Sequence, residues 1–155
     1  MPTHIIHGFE GIRALVGVSI PPTDWFAVEQ QRVDAFAECT GDFQWIHVDV
    51  ERARASRLGG TIAHGYLTLA LIPMLWHRHV DVQGTGEVLN VGLDRVRFPA
   101  PLRIGSRIRA SFAIVETKQG ERGLRVVNRV TIEAKDAVKP VCVADLIVLY
   151  RPAVA

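Results

Sequence analysis

The second half of the chain constrains the fold most. From Gly84 onward, four runs (Glu87 to Phe98, Arg107 to Lys118, Arg122 to Ala134 and Pro140 to Tyr150) are rich in Val, Ile and Leu, and several alternate apolar with polar residues. β-Branched residues in that period-two rhythm suit half-buried strands. Short breaks separate the runs: Pro99 to Gly105, Gln119-Gly120 and Lys135 to Lys139. Parallel neighbours need a crossover of a dozen or more residues, so the last three runs read as an antiparallel meander.

Such a sheet needs a cover for its apolar face. Tyr66 to Trp76 is apolar on almost every side, the pattern of a helix buried all round. Pro73 removes the hydrogen bond to the Leu69 carbonyl, so a kink or early end is expected there. Upstream, Trp25 to Val28 is a short strand candidate. Glu29 to Cys39 carries Val33, Phe36 and Ala37 at helical spacing and should stop at Gly41, and Val48 to Arg57 reads as one or two surface turns. Residues 1–22, with Gly8, Gly11, Gly17 and Pro21-Pro22, read as an irregular lead-in. One early strand, then helices, then four long strands argues for a single α+β domain over residues 1–155, its antiparallel sheet wrapped around the central apolar helix.

Composition excludes several function classes. With 48% hydrophobic and 22% charged residues the chain is globular, and a diffuse net charge of +2 does not point to nucleic acid. No apolar run approaches the roughly 20 residues that span a bilayer, and Met1-Pro2-Thr3-His4 opens no leader, so no membrane partner and a cytoplasmic location are expected. Cys39 and Cys142, far apart and each in an apolar setting, suit reduced thiols packed as small hydrophobes.

The chemistry centres on Thr40-Gly41-Asp42-Phe43-Gln44-Trp45-Ile46-His47. Five residues apart, Asp42 and His47 would diverge by roughly 140° on a helix and face opposite sides of a strand, so only a bent loop brings them together. Gly41-Asp42 is the kind of pair that ends a helix and opens such a loop. A carboxylate and an imidazole, screened by Phe43, Trp45 and Ile46, can hold and polarise one water molecule. The second candidate is His64-Gly65. Either His64 caps the helix and Gly65 allows tight packing, or the Gly65 N–H at the helix start binds a carbonyl oxygen as it becomes negative. No Gly-x-Ser-x-Gly occurs and neither cysteine sits in a nucleophile motif, so water is the expected nucleophile. His77-x-His79 lacks companion ligands, hence no metal site is expected. Gly84-x-Gly86 neither follows a strand nor opens a helix as a dinucleotide loop would. Arg95, Arg97, Arg103 and Arg107 flank one turn, either as a solvated rim or as phosphate contacts.

Three segments together, Thr40-Gly41-Asp42-x-x-x-x-His47, Gly60-x-Ile62-Ala63-His64-Gly65 and Gly92-Leu93-x-Arg95-Val96-Arg97-Phe98-x-x-Pro101, resemble the MaoC-like (R)-specific enoyl-CoA hydratases, which have the hotdog fold. The resemblance implies that Asp42 and His47 are the catalytic pair and that the Gly65 N–H binds the thioester oxygen. It further implies a homodimer joining two sheets side by side, with acyl-CoA threaded into a tunnel near the interface and no separate cofactor, since CoA is part of the substrate. Two departures stand out. Gln44-Trp45 replaces the family's usual Asn-Pro, and Val91 and Asp94 replace a Tyr and an Asn in the following strand motif. The expected reaction is reversible hydration of a trans-2-enoyl-CoA to an (R)-3-hydroxyacyl-CoA. A thioesterase on the same fold and a non-catalytic acyl-CoA-binding subunit are the alternatives.

Overall fold

The four strand runs stand where their alternation places them, in a sheet that packs one face on a broken apolar helix. The computed structural model describes residues 4–153; Met1 to Thr3, within the stretch read for a leader, and residues 154–155 lie outside that description. In chain order the elements are β1 (His4–His7), α1 (Gly8–Ala14), β2 (Ser19–Ile20), β3 (Phe26–Ala27), α2 (Gln30–Thr40), α3 (Trp45–Val48), α4 (Val50–Ala55), α5 (Gly65–Ala70), α6 (Ile72–His79), β4 (Val80–Gln83), β5 (Thr85–Arg97), β6 (Arg107–Gly120), β7 (Gly123–Ala134) and β8 (Cys142–Pro152). The main sheet has strand order β2-β6-β7-β8-β5, with β3 also on β6, and all its pairings are antiparallel.

Register explains the core. Phe112 faces Val130, and Val130 faces Ala144 on the next strand. Successive side chains alternate between faces, so Ile108, Ala110, Phe112 and Ile114 share one face with Leu124, Val126, Val130 and Ile132, and with Cys142, Ala144, Val148 and Tyr150. All are buried, and they meet Leu67 on α5, Leu71 at the break, and Ile72, Leu75 and Trp76 on α6. Trp76 meets Phe112 edge to face at 5.0 Å. Each large side chain so covered contributes about 1.5–3 kcal/mol. This is the helix-wrapped sheet of the hotdog fold.

Three expectations need correction. The segment expected to be an irregular lead-in forms β1, α1 and β2: β1 runs parallel to β4, His4 opposite Val80, and β2 joins the edge of β6. Its partners lie far along the chain, so its own composition carries no sign of them. The central helix is two helices, interrupted at Leu71, with Pro73 in the first turn of α6 where a missing N–H costs nothing. Leu71 N–H still donates to the Leu67 carbonyl and Leu75 N–H to that of Leu71, each at 3.0 Å, so the line of the helix carries on. Nor is it buried all round: Tyr66 is 73% exposed, and Ala70 and His77 face outward with it. The cysteines also divide. Cys142 is fully buried, its thiol pushed up to about 11 by burial, whereas Cys39 sits on the exposed side of α2.

One edge of the sheet is unfinished. Among the described residues β5 pairs with β8 alone, and along it Val88, Leu89, Val91 and Leu93 are each 42–53% exposed. Among the described residues no helix is long and apolar enough to cross a membrane.

Candidate active site

Gly41 ends α2 in the left-handed conformation, φ 76°, and its N–H closes the helix on the Ala37 carbonyl at 2.8 Å. That cap turns the chain so that Asp42 leaves the helix axis, and Gln44 N–H reaches back toward Asp42 Oδ1 at 3.4 Å. What was expected to be loop as far as His47 contains the single turn α3, which carries His47 inward; the residue is buried. The bend thus brings the pair together: one ligand-type atom each of Asp42, His47 and His64 lie within 4.8 Å of one another.

Side-chain hydrogen bonds fix the two imidazoles. His47 Nδ1 lies 2.7 Å from the Ile62 carbonyl. A carbonyl only accepts, so Nδ1 carries the hydrogen and Nε2 is left with a free lone pair. Burial lowers the His47 pKa from its ordinary 6.5, assisted by the neighbouring His64 and opposed by the Ile62 hydrogen bond and by Asp42. His64 stacks on His47 with ring centroids 3.8 Å apart. It precedes α5 but does not cap it with its side chain; its Nε2 donates to the Asp42 main-chain carbonyl at 2.9 Å. Among the described residues the buried His64 Nδ1 has no hydrogen-bond partner. His64 therefore ties the Asp42 backbone to the start of α5. One carboxylate and two imidazoles form a donor set that a zinc ion can use, but the His64 nitrogen nearest Asp42 is already engaged by that carbonyl.

Gly65 opens α5, so its N–H has no carbonyl within the helix to meet. A Cβ at Gly65 would stand 3.1 Å from the Phe98 ring, so the glycine is what lets Phe98 pack against the helix start. Of the two readings, the tight packing at Gly65 is present while the His64 side chain does not cap the helix, and the Gly65 N–H has no acceptor within α5. The surrounding segment is pinned on two sides: Ile62 N–H donates to Ile46 at 3.0 Å, and Ala63 N–H to Leu102 at 2.8 Å.

Sequence reasoning missed Gln30. Its Nε2 donates to the His47 carbonyl at 2.7 Å and to Asp34 Oδ1 at 2.8 Å, while its Oε1 accepts from the Thr61 hydroxyl at 2.6 Å. One side chain in the first turn of α2 thus joins the segment of His47 to that of Thr61. Nothing local marks it, because its partners lie 17 and 31 residues away.

Two expectations about the surroundings change. Phe43 is 57% exposed and Trp45 packs its ring under the Arg52 guanidinium at 4.4 Å, so neither closes over the pair; the Asp42 side chain is 51% exposed. The four arginines also separate. Arg95, at φ 53° in an irregular part of β5, directs Nε to Asp145 at 3.5 Å, beside the bidentate Arg129–Asp145 pair. Asp145 lies on the sheet face opposite the α6 side, and Arg129 holds its carboxyl below the usual range. Arg97 bonds the Val96 carbonyl, and Arg107 begins β6 opposite Ala27. Arg103 pairs with Ile62 in an isolated antiparallel bridge, next to the segment that holds His47, with its guanidinium beside Gly59.

The family model described as "MaoC like domain" matches residues 14–136. The 3-hydroxyacyl-thioester dehydratase Z of Mycobacterium tuberculosis is 44% identical over 140 residues, covering 90% of this chain and 93% of that protein. Among solved structures, the monoamine oxidase regulatory protein from Archaeoglobus fulgidus superposes with a TM-score of 0.74 at 23% identity, over 99% of this chain and 100% of the other. The (R)-hydratase from A. caviae involved in PHA biosynthesis does so with 0.68 at 18% identity, over 85% and 98%. The model match spans most of the chain, and a relative 44% identical covers nine-tenths of it: this protein belongs to the MaoC-like domain family.

Proposed function

We propose that the protein catalyses reversible hydration of trans-2-enoyl-CoA to (R)-3-hydroxyacyl-CoA, the reverse direction being dehydration of the 3-hydroxyacyl thioester. The observation that carries this is the buried His47, held as the tautomer with a free Nε2 and kept neutral by burial, beside a half-exposed carboxylate. That pair suits holding a water between Asp42 and His47 Nε2. His47 takes one proton from the water as its oxygen bonds to C3, and the pair returns one proton to C2 on the same face, so one water is added and the C2=C3 double bond is consumed. Negative charge that develops on the thioester oxygen meets the Gly65 N–H, a contribution of about 3–4 kcal/mol if it matches other oxyanion donors. His64 is a positioning residue, holding the Asp42 main chain and bracing the His47 ring.

Arg103, next to the segment that holds His47, is the arginine we assign to the CoA phosphates; Arg95 is occupied by Asp145. The acyl chain runs along α5 and α6 toward the cavity beneath α6. The open, apolar β5 edge fits a second copy of this chain, which would extend the sheet and cover Asp42, Phe43 and Tyr66, the groups a single chain leaves uncovered. A thioesterase would use the same water against the carbonyl carbon; the free Nε2 does not favour that reading over addition to C3.

Asp42→Asn and His47→Gln should each lower turnover of crotonyl-CoA by roughly 100-fold or more while leaving the circular dichroism spectrum unchanged. Near-wild-type rates in both variants would sink the assignment.

A further inference from the structure

On the core face of β7 the side chains read Leu124, Val126, Asn128, Val130, Ile132, Ala134, and the asparagine interrupts an otherwise apolar row. Across the sheet its neighbours are Ile114 on β6 and Leu146 on β8, both apolar. Asn128 is 5% exposed, and its buried Oδ1 has no hydrogen-bond partner among the described residues. An unsatisfied buried acceptor is destabilising, and a valine or leucine there would avoid that cost.

The amide faces a cavity. A space of about 160 Å³ lies between α6, β4 and the sheet, walled largely by Trp76, Val80, Val88, Val148 and Tyr150, with Asn128 and Asn90 among its lining. Trp76 and Tyr150 stand together on this wall, the indole N–H directed at the phenol oxygen. Asn90 stands on the exposed edge strand β5, and the exposed His77 and half-buried Asp81 also border the space. The cavity lies in line with the proposed reaction centre: Pro73 and Trp76, on its wall, follow Gly65 by eight and eleven residues, roughly 12–16 Å of helix.

We infer that Asn128 and Asn90 make this cavity selective for an acyl chain carrying a hydroxyl group remote from the thioester, rather than for a plain hydrocarbon chain. The inference rests on the hydratase reading and extends it to the substrate class. A hydroxyl beside the Asn128 side chain can donate to Oδ1 once the amide turns about its last side-chain bond toward the space, and can accept from the Asn90 amide, while the chain on either side of it lies against Trp76, Val148 and Tyr150. A plain chain leaves the acceptor unpaired in the bound state.

The test uses medium-chain trans-2-enoyl-CoA thioesters, each plain or with one hydroxyl moved carbon by carbon along the distal chain. The reading is the ratio of kcat/KM for the best hydroxylated substrate to that for its plain counterpart, which cancels any general loss in a variant. In the wild type this ratio should reach about tenfold or more, and in Asn128→Leu it should fall to about one or invert. If Asn128→Leu does not fold, Asn90→Leu, on the exposed strand, should likewise reduce the ratio. Crotonyl-CoA, too short to reach the cavity, separates the two failures. No hydration of it by the wild type would overturn the hydratase reading and this inference together. Hydration of crotonyl-CoA with no preference for any hydroxylated chain, or a preference that survives in the folded variant, would overturn the inference alone and leave Asn128 as a purely structural residue.

Discussion

At the scale of single residues, the site works by dividing labour between two histidines that touch. His47 gives its Nδ1 hydrogen to the Ile62 carbonyl and keeps Nε2 free; His64 gives its Nε2 hydrogen to the Asp42 carbonyl and lies flat against His47. Because burial lowers the His47 pKa from 6.5, the imidazole stays unprotonated to a lower pH than an ordinary histidine. A base must be unprotonated to act, so the sign is fixed. The kcat/KM profile should be flat through neutrality and fall only as pH drops below about 6.5, and it should lose that acid limb in His47→Gln. A limb centred above 6.5 would show that His47 is not the base. The pair itself was legible in the sequence from its residue types and spacing. Gln30 was not, since a side chain that bonds across 17 and 31 residues leaves no local pattern.

At the scale of elements, the turn that ends α2 sets the whole geometry. Gly41 at φ 76° has open space where a Cβ would be, so substitution there acts through backbone conformation alone. Gly41→Ala should cost about 1–2 kcal/mol of stability and lower activity by displacing Asp42, whereas Gly41→Asn, which tolerates the left-handed region, should cost less. Thermal melts of the two variants decide it, and equal losses would contradict this account of the cap. The long strands were readable because alternation is a local signal. β6 starts at Arg107 and β7 ends at Ala134, as the pattern places them. Of the short elements, β3 was readable within Trp25 to Val28 and α4 within Val48 to Arg57, but β1 and β2 were not. β1 is four residues whose partner, β4, is reached only after the whole helical half of the chain. Tyr66 to Trp76 was read as one buried helix because apolar composition does not distinguish a face covered by the sheet from one left for another surface.

At the scale of the whole molecule, the exposed row Val88, Leu89, Val91 and Leu93 and the open side of Asp42 are what the proposed second copy of this chain would cover. Light scattering should give twice the chain mass, and Leu89→Lys with Val91→Lys should shift it toward the monomer and reduce activity together; a wild-type monomer with full activity would contradict the pairing. The fold, the family and the disposition of Asp42, His47 and Gly65 all lead to water added across an enoyl thioester. The most direct measurement is incubation of the wild-type protein with crotonyl-CoA, following loss of the enoyl absorbance and resolving the product on a chiral phase. The account predicts (R)-3-hydroxybutyryl-CoA with no release of free thiol. Free CoA without a hydroxyacyl product, or the (S) enantiomer, would contradict it.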